Sequence, residues 1–400
     1  MKVSSTARNE RILSLDFIRG IALLGILFAN MAFFKSPVFQ LQSLPGELAS
    51  LPADHLNQWA VFGIDWFVIG KFYPMFSFLF GLGFYLFYER MREKGLDAGK
   101  MYSRRLYFLL ALGAVHLLFI WSGDILHTYA ITGFLLLLFI HRKPKTILIW
   151  GIMLILVSAF LLGVLVTTSN LFVAYQEGTA FEQDAQNAVS TALSTYSSGS
   201  YIDILSFRIS NEIPIVLSNL LLSIPNILGL FLIGLYIGKQ GFIRNAEEHL
   251  SFWKKLLLFT LMSGGLLSGL YACLKNGIFS IAPWLSNGLA EGLNIIAGPL
   301  FMLFYVSSAV LLFQKPAFKK LFQPITMVGQ MALTNYLLQS IVCIFIFYGF
   351  GLQLYGTIYA ATGILITLVI YAVQTLLSWF WLGNYDQGPM EKLWRRFTYK

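Results

Sequence analysis

Ten stretches of mostly apolar residues, each about 20 residues long, follow one another along the chain and decide what it can fold into. A helix of that length crosses a bilayer while satisfying its own backbone polar groups. Only 12% of the 400 residues are charged, too few to cover the surface of a soluble domain. The sequence therefore predicts an all-α polytopic membrane protein with one integral membrane domain, 1–400. The predicted spans are 14–34, 62–87, 104–121, 125–141, 147–167, 213–237, 256–273, 293–313, 325–349 and 357–382.

The distribution of lysine and arginine between the loops predicts the orientation. With the N-terminus in the cytoplasm, 23 of the 28 basic residues fall in cytoplasmic loops and tails, and only 3 fall in outer loops. Cytoplasmic loops of membrane proteins are rich in these residues, so the split predicts that both termini are cytoplasmic. The longest polar stretch, 168–211, is rich in Ser, Thr, Ala and Gln and carries one Arg, so it is predicted to be a long outer loop with an amphipathic helix around 179–196. Residues 384–400 are predicted to be a basic cytoplasmic tail. The net charge of +9 is thus interpreted as topology and not as a sign of nucleic-acid binding.

The sequence lacks the motifs of several common kinds of protein. Its two cysteines, Cys273 and Cys343, are far apart within apolar runs and predict neither a disulfide framework nor a metal site. There is no Walker loop for ATP, no His-Glu-x-x-His zinc motif and no Gly-x-Ser-x-Gly motif of a serine hydrolase. We therefore expect no metal and no resident cofactor.

Ionisable side chains inside spans are energetically expensive, so each is a candidate functional residue. Asp16 and Arg19 are three apart near the cytoplasmic end of the first span, so they share a helix face and can pair. The pair either fixes the helix end or offers Arg19 to an anionic ligand from the cytoplasm. Lys71, six residues after Asp65, either pairs within the bundle or binds a substrate group.

A histidine and a carboxylate near the third predicted span are the candidate catalytic pair. His116 lies near the outer end of that span, and Asp124 and His127 follow across a tight turn. A carboxylate can orient an imidazole, so that His116 can accept an acyl group, act as a general base or relay protons. The alternative is a histidine that hydrogen-bonds to another helix.

Three amide side chains lie within the predicted spans. Asn30 lies towards the outer end of the first span, while Asn335 and Gln339 share one face of the ninth. Each either bonds to a neighbouring helix, as is common for amides in spans, or lines a polar cavity. The second alternative makes them candidate ligand-binding residues.

Several motifs resemble those of the YeiB-like proteins, bacterial membrane proteins that carry a domain of unknown function. The resemblance covers nearly the whole chain and implies a multi-pass protein of the bacterial plasma membrane. It rests on the segments LDFIRGIA at 15–22, FSFLFG at 76–81, GAVH at 113–116, GDIL at 123–126, GQMALTNYLLQ at 329–339 and QGPMEKLWR at 387–395.

The first-span motif is also similar to that of the transmembrane acyltransferases, such as bacterial sugar O-acetylases and heparan-α-glucosaminide N-acetyltransferase. These enzymes pass an acyl group from a cytoplasmic thioester donor to an acceptor across the membrane. In the O-acetylase branch the position matching Asn30 is a catalytic histidine, which this chain lacks. In the heparan branch that position is also Asn, and the catalytic histidine lies later, where His55 is the nearest by order.

The leading hypothesis is therefore transfer of an acyl group from acetyl-CoA, or another acyl-CoA, to an envelope glycan or lipid. Arg19 with Asp16 would organise the donor, His116 with Asp124 would be the base or acyl carrier, and the three amides would bind the carbonyl or the acceptor hydroxyls. Because Arg19 and His116 lie at opposite depths, this needs a channel through most of a core roughly 30 Å thick. The alternatives are a carrier or exporter of a small or amphipathic solute, and a membrane partner without chemistry. The sequence leaves the oligomeric state open.

Overall fold

The computed structural model describes residues 12–41, 54–176 and 179–399. Throughout these residues the structure is built from helices and contains no β-strand. The α-helices in chain order are α1 (Leu13–Lys35), α2 (Val38–Leu41), α3 (His55–Phe67), α4 (Phe72–Glu93), α5 (Ala98–Val115), α6 (Leu126–Leu136), α7 (Pro144–Tyr175), α8 (Ala180–Ser198), α9 (Tyr201–Phe207), α10 (Ile213–Ser218), α11 (Leu220–Lys239), α12 (Leu250–Lys275), α13 (Pro283–Leu312), α14 (Pro316–Leu321), α15 (Gln323–Gln330), α16 (Ala332–Phe347), α17 (Ala360–Asn384) and α18 (Pro389–Tyr399).

The chain is an all-α polytopic membrane protein. In its described part, eight segments are long and apolar enough to cross a bilayer, and they coincide with eight of the ten predicted spans. The predicted span 325–349 is instead α15 followed by α16, bent by 85° at Met331. The predicted span 125–141 is α6 with a short 3-10 turn, Leu126–Phe139, which is shorter than the about 20 residues of a full crossing.

The short helix α6 is stabilised by burial and by a cation. Ala130, Thr132 and Leu136 are completely buried. At the end of the helical stretch, Lys239 Nζ donates to the carbonyls of Ile140 at 2.6 Å and Arg142 at 2.9 Å. These bonds satisfy carbonyls that a helix end leaves without partners. A helix buried inside the bundle in this way does not need a full lipid-facing length.

The second predicted span is broken between α3 and α4. Gly70 takes a φ of 82° there, a left-handed conformation that glycine adopts at little steric cost. Lys71 is completely buried, and its Nζ donates to the carbonyls of Asp65 at 2.9 Å and Ile69 at 2.6 Å. The ammonium therefore satisfies carbonyl groups at the break between α3 and α4.

Two segments predicted as a loop and a tail are helical and packed. Within 168–211, α7 continues to Tyr175 and is followed by α8, in agreement with the predicted amphipathic helix at 179–196, and by α9. Within 384–400, α18 packs on the bundle, where Trp394 Nε1 donates to the carbonyl of Arg105 at 3.0 Å. The terminal segment is therefore part of the folded domain.

Helices α4 and α11 approach each other closely. A Cβ on Gly81 would lie 1.9 Å from the carbonyl oxygen of Phe231, and one on Gly234 would lie 2.0 Å from that of Phe78. Such small residues let two helix backbones meet. The loops rich in Lys and Arg gather at one end of the bundle, here called the basic end, and the 121–125 turn lies at the far end.

Candidate functional site

A large cavity opens at the basic end, between α1, α4, α5, α11, α16 and α18. Its volume is about 1060 Å³. Aromatic and aliphatic side chains line its interior, as is usual for ligand pockets. The basic residues in its lining are Arg19, Arg90, Lys94, Arg105, Lys239, Arg244 and Arg395, and the acidic ones are Asp16, Glu89, Glu93 and Glu391.

The predicted pair of α1 lies in this cavity lining. Arg19 Nη1 is 2.8 Å from Asp16 Oδ1, and the Asp16 side chain is buried while that of Arg19 is 31% exposed. The i, i+3 spacing places both side chains on the same face of α1. A partly exposed guanidinium held by a buried carboxylate is a rigid donor for an anionic ligand.

Arg105 is a cavity residue that the sequence did not single out. Its guanidinium stacks between the rings of Phe87, at 4.6 Å, and Trp394, at 4.2 Å. Among the described residues no carboxylate lies within 4.0 Å of it. In sequence Arg105 lies at the start of the predicted span 104–121, next to a basic loop, and the docking of α18 places the ring of Trp394 over it.

The inner end of the cavity is a cluster of tyrosine hydroxyls. Tyr129 Oη donates to the carbonyl of Tyr73 at 2.9 Å and lies 2.8 Å from Ser77 Oγ. Tyr336 Oη accepts from the backbone N–H of Ile125 at 3.4 Å. The Tyr336 ring lies 5.3 Å from that of His116, centroid to centroid. The cavity therefore reaches to within one side chain of the predicted catalytic histidine.

His116, Asp124 and His127 form a buried cluster next to Tyr336. Asp124 Oδ1 lies 2.9 Å from His116 Nδ1, and its Oδ2 lies 2.7 Å from His127 Nδ1. The first contact departs from hydrogen-bond geometry, whereas Oδ2 also accepts from the backbone N–H of His127 at 2.9 Å. The side chains of His116 and Asp124 have no exposed surface. One carboxylate thus accepts hydrogen bonds from His127 and lies in contact with the imidazole of His116.

This arrangement leaves one imidazole nitrogen open. His127 Nε2 lies 3.2 Å from Thr128 Oγ1, whereas His116 Nε2 is buried and has no hydrogen-bond partner among the described residues. Burial alone would raise the pKa of Asp124, but its contacts with both histidines outweigh burial and hold that pKa below the ordinary 3.8. The ionised carboxylate favours a proton on His116 Nδ1 and a lone pair on Nε2, as in hydrolase triads.

The other predicted binding residues do not line the cavity. Asn335 Nδ2 donates to Ser378 Oγ at 2.9 Å, and Gln339 Nε2 donates to Gln374 Oε1 at 3.0 Å. Both bonds join α16 to α17, which is the interhelical alternative for these amides. Asn30 is half-buried on α1 and is absent from the lining. Lys71 belongs to the break between α3 and α4 described above.

Two further buried ionisable residues lie at the far end. Arg208 is 1% exposed and Glu212 is 4% exposed, in a π turn that follows α9. Their i, i+4 spacing could have drawn attention to them, but Arg208 falls in a stretch that resembles an outer loop. Among the described residues no group of three or more His, Cys, Asp or Glu side chains could hold a metal ion.

Comparisons with known proteins find bacterial relatives whose names state no function. Residues 237–400 match the family described as "Protein of unknown function (DUF418)". The chain is 37% identical to "Uncharacterized protein YxaH" of Bacillus subtilis (strain 168), over 98% of this chain and 96% of that protein. It is 29% identical to "Uncharacterized 39.9 kDa protein in amylase 3'region" of Bacillus acidopullulyticus, over 98% and 95%. It is 28% identical to "Uncharacterized protein YeiB" of Escherichia coli (strain K12), over 97% and 96%.

Proposed function

Because this chain belongs to the YeiB-like family of bacterial membrane proteins, whose function its relatives' names leave open, we propose a function from its own geometry. It transfers an acyl group from a cytoplasmic thioester donor to a glycan or lipid of the envelope. One observation carries this proposal: a cavity with cations in its lining reaches Tyr336, whose ring lies 5.3 Å from that of His116, and His116 Nε2 has no hydrogen-bond partner among the described residues. In the proposal the basic end and both termini face the cytoplasm, and the membrane is the plasma membrane.

The cavity suits a donor with an anionic head and a narrow apolar arm. Acyl-CoA has phosphates at one end and a thioester at the other, joined by a pantetheine arm. Seven basic and four acidic side chains in the lining give it a cationic balance. Arg19 and Arg105 would bind phosphate oxygens as guanidinium forks. The apolar interior would hold the arm, and the thioester would reach Tyr336.

The proposed chemistry begins at His116. Its Nε2 lone pair attacks the thioester carbonyl carbon, a C–N bond forms, the C–S bond breaks and the thiolate leaves to take a proton from water. Asp124 holds the Nδ1 proton of the acyl-imidazolium. Tyr336 Oη accepts from Ile125, so its own hydrogen is available to the carbonyl oxygen of the substrate.

The second half of the reaction regenerates the histidine. A hydroxyl of the acceptor attacks the acyl carbon, the C–N bond breaks, and the hydroxyl proton passes to water. The net reaction converts a thioester and an alcohol into an ester and a thiol. If His116 acts instead as a general base for direct transfer, Nε2 takes the hydroxyl proton and then returns it to the thiolate.

A test of the proposal is label transfer from acetyl-CoA, labelled in its acetyl group, to the purified protein. We expect label on the wild type, loss of label in His116→Gln, and retention in His141→Gln, a histidine exposed at the basic end. If His116 acts as a general base, the wild type should form an ester on an added acceptor without becoming labelled itself. His116→Gln should lose that ester formation. If folded wild type neither takes label nor forms ester, the proposal is wrong.

A carrier of an amphipathic anion is the second candidate function. The observation in its favour is that the cavity opens at the basic end, while the buried His116–Asp124–His127 cluster lies beyond its inner end. Such ionisable clusters serve proton relays in transporters. In this case liposomes containing the protein would take up the solute, uptake would respond to a pH gradient, and a thioester donor would leave no label.

A further inference from the structure

The helix that carries His116 ends in a π turn whose last carbonyls need partners. The π turn spans His116–Ile120, and the N–H of Trp121 donates to the carbonyl of His116 at 2.8 Å. Helix ends leave carbonyls without partners inside the helix, and π turns are frequent at functional sites. How these carbonyls are satisfied therefore determines where the His116 side chain is held.

The partners come from one segment at the far end of the bundle. Arg208 Nη1 donates to the carbonyl of Leu118 at 3.2 Å, and Tyr201 Oη donates to the carbonyl of Phe119 at 2.8 Å. A cation at the C-terminal end of a helix also interacts favourably with the helix dipole. We call Tyr201, Arg208 and Glu212 the far-end clamp.

Glu212 holds the turn that carries Asp124. Ser122 Oγ donates to Glu212 Oε2 at 2.5 Å, two residues before Asp124 in sequence. Both side chains are buried, at 2% exposure for Ser122 and 4% for Glu212. The clamp thus touches the chain on both sides of the site, at the π turn with His116 and at the turn with Asp124.

Helix α8, which precedes the clamp in the chain, is anchored in the bundle through Tyr196. The N–H of Gly349 donates to the carbonyl of Tyr196 at 2.7 Å, and the rings of Tyr196 and Tyr355 stack at 5.0 Å. Arg208 has no carboxylate within 4.0 Å among the described residues, so its charge is directed at the helix carbonyl and not at an ion pair. A buried guanidinium in this position is costly to misplace.

We propose that the far-end clamp positions the His116–Asp124 pair and closes it off from the far end of the bundle. These are positioning residues, because they act through the backbone around the pair and do not contact the reacting atoms. The inference depends on the proposed function only for the claim that His116 receives the acyl group. Its structural content, the orientation and shielding of His116, holds for a carrier as well.

The test measures how readily His116 reacts with diethyl pyrocarbonate, which carbethoxylates neutral imidazoles, read peptide by peptide by mass spectrometry. In the wild type we expect His116 to react slowly, here called resistance, because the reagent reaches the ring through the cavity and not from the far end. In Glu212→Ala it should react about 10-fold faster, because a buried charge-assisted hydrogen bond is lost. Glu212→Gln keeps an oxygen acceptor for Ser122 and should restore resistance. Ser122→Ala should resemble Glu212→Ala, and the double variant should add little.

The controls separate positioning from general loss of structure. Asn211→Ala removes an exposed side chain of the same π turn, whose Nδ2 donates to the carbonyl of Phe207, and should leave His116 resistant. The exposed His141 should react equally in all variants. If His116 remains resistant in Glu212→Ala and in Arg208→Gln, the inference is wrong.

The outcomes for the inference and for the proposed function can be told apart. If the reactivity of His116 changes as expected but the wild type takes no acetyl label, the clamp stands and acyl transfer fails. If the wild type takes label, Glu212→Ala should lose it about 10-fold and Glu212→Gln should recover it. Equal acetyl labelling in wild type and Glu212→Ala contradicts the clamp and leaves acyl transfer intact.

Discussion

The crossing of α4 and α11 gives a prediction with a matched control two residues away. A Cβ on Gly81 would lie 1.9 Å from Phe231 O, so the two helices must separate by about 1.5 Å to reach the 3.4 Å of ordinary contact. A Cβ on Gly83 would meet nothing within 4 Å. The two glycines, which belong to one short motif, therefore have opposite tolerance for a methyl group.

The expected magnitudes follow from packing and from helix propensity. Overpacking costs about 1–3 kcal/mol, and the upper end applies to Gly81→Ala because the obstacle is backbone. Replacing a helical glycine by alanine gains about 1 kcal/mol of propensity in both variants. Gly81→Ala should thus be less stable than wild type by about 2 kcal/mol, and Gly83→Ala more stable by up to about 1 kcal/mol.

Reversible unfolding in mixed detergent micelles measures both variants against the wild type. The predicted order of stability is Gly83→Ala, wild type, Gly81→Ala. Equal stability of the two alanine variants would refute the reasoning, because it would mean that the helices do not meet at Gly81 as described.

Three other results are expected. Glu391 accepts hydrogen bonds from the N–H groups of Leu333 and Thr334, at 2.7 and 3.1 Å. Glu391→Ala should lose about 2 kcal/mol of the stability with which α18 is docked, so trypsin should cleave α18 about 30-fold faster. An unchanged cleavage rate would contradict this. Arg105→Ala should weaken acetyl-CoA binding about 10-fold in a titration, whereas Lys143→Ala, at an exposed residue outside the cavity, should not. Burial raises the pKa of Glu212 above its ordinary 4.5, so the native state binds the proton more tightly and stability falls as pH rises through that range. The melting temperature of Glu212→Gln relative to wild type should therefore increase as the pH rises above 4.5, and a constant difference would exclude this explanation.

Much of the fold follows from properties that are local in sequence. The lengths of the apolar runs gave the spans, because a bilayer demands a minimum helix length. The i, i+3 spacing of Asp16 and Arg19 sufficed to predict their contact, and the tight turn after the third span sufficed to bring Asp124 to His116.

The rest depends on which helices become neighbours, and no local pattern specifies that. Asn335 and Gln339 bond to α17 because of the 85° bend at Met331 and the lateral packing that follows from it. Arg105 became a cavity residue only when α18, far away in sequence, docked over it. The same limit applies to Arg208, whose partner carbonyl is 90 residues away.

Saturable binding of acetyl-CoA to the purified protein tests the central claim most directly, which is that the cavity receives a thioester donor. Gly83 lines the cavity and has open space beside it, so Gly83→Leu should fill the cavity without disturbing the fold. Gly63, also with open space but outside the lining, provides the control Gly63→Leu. We predict binding by wild type and by Gly63→Leu, and loss of binding in Gly83→Leu. Folded wild type that binds no acetyl-CoA, or equal binding by all three proteins, would contradict the account.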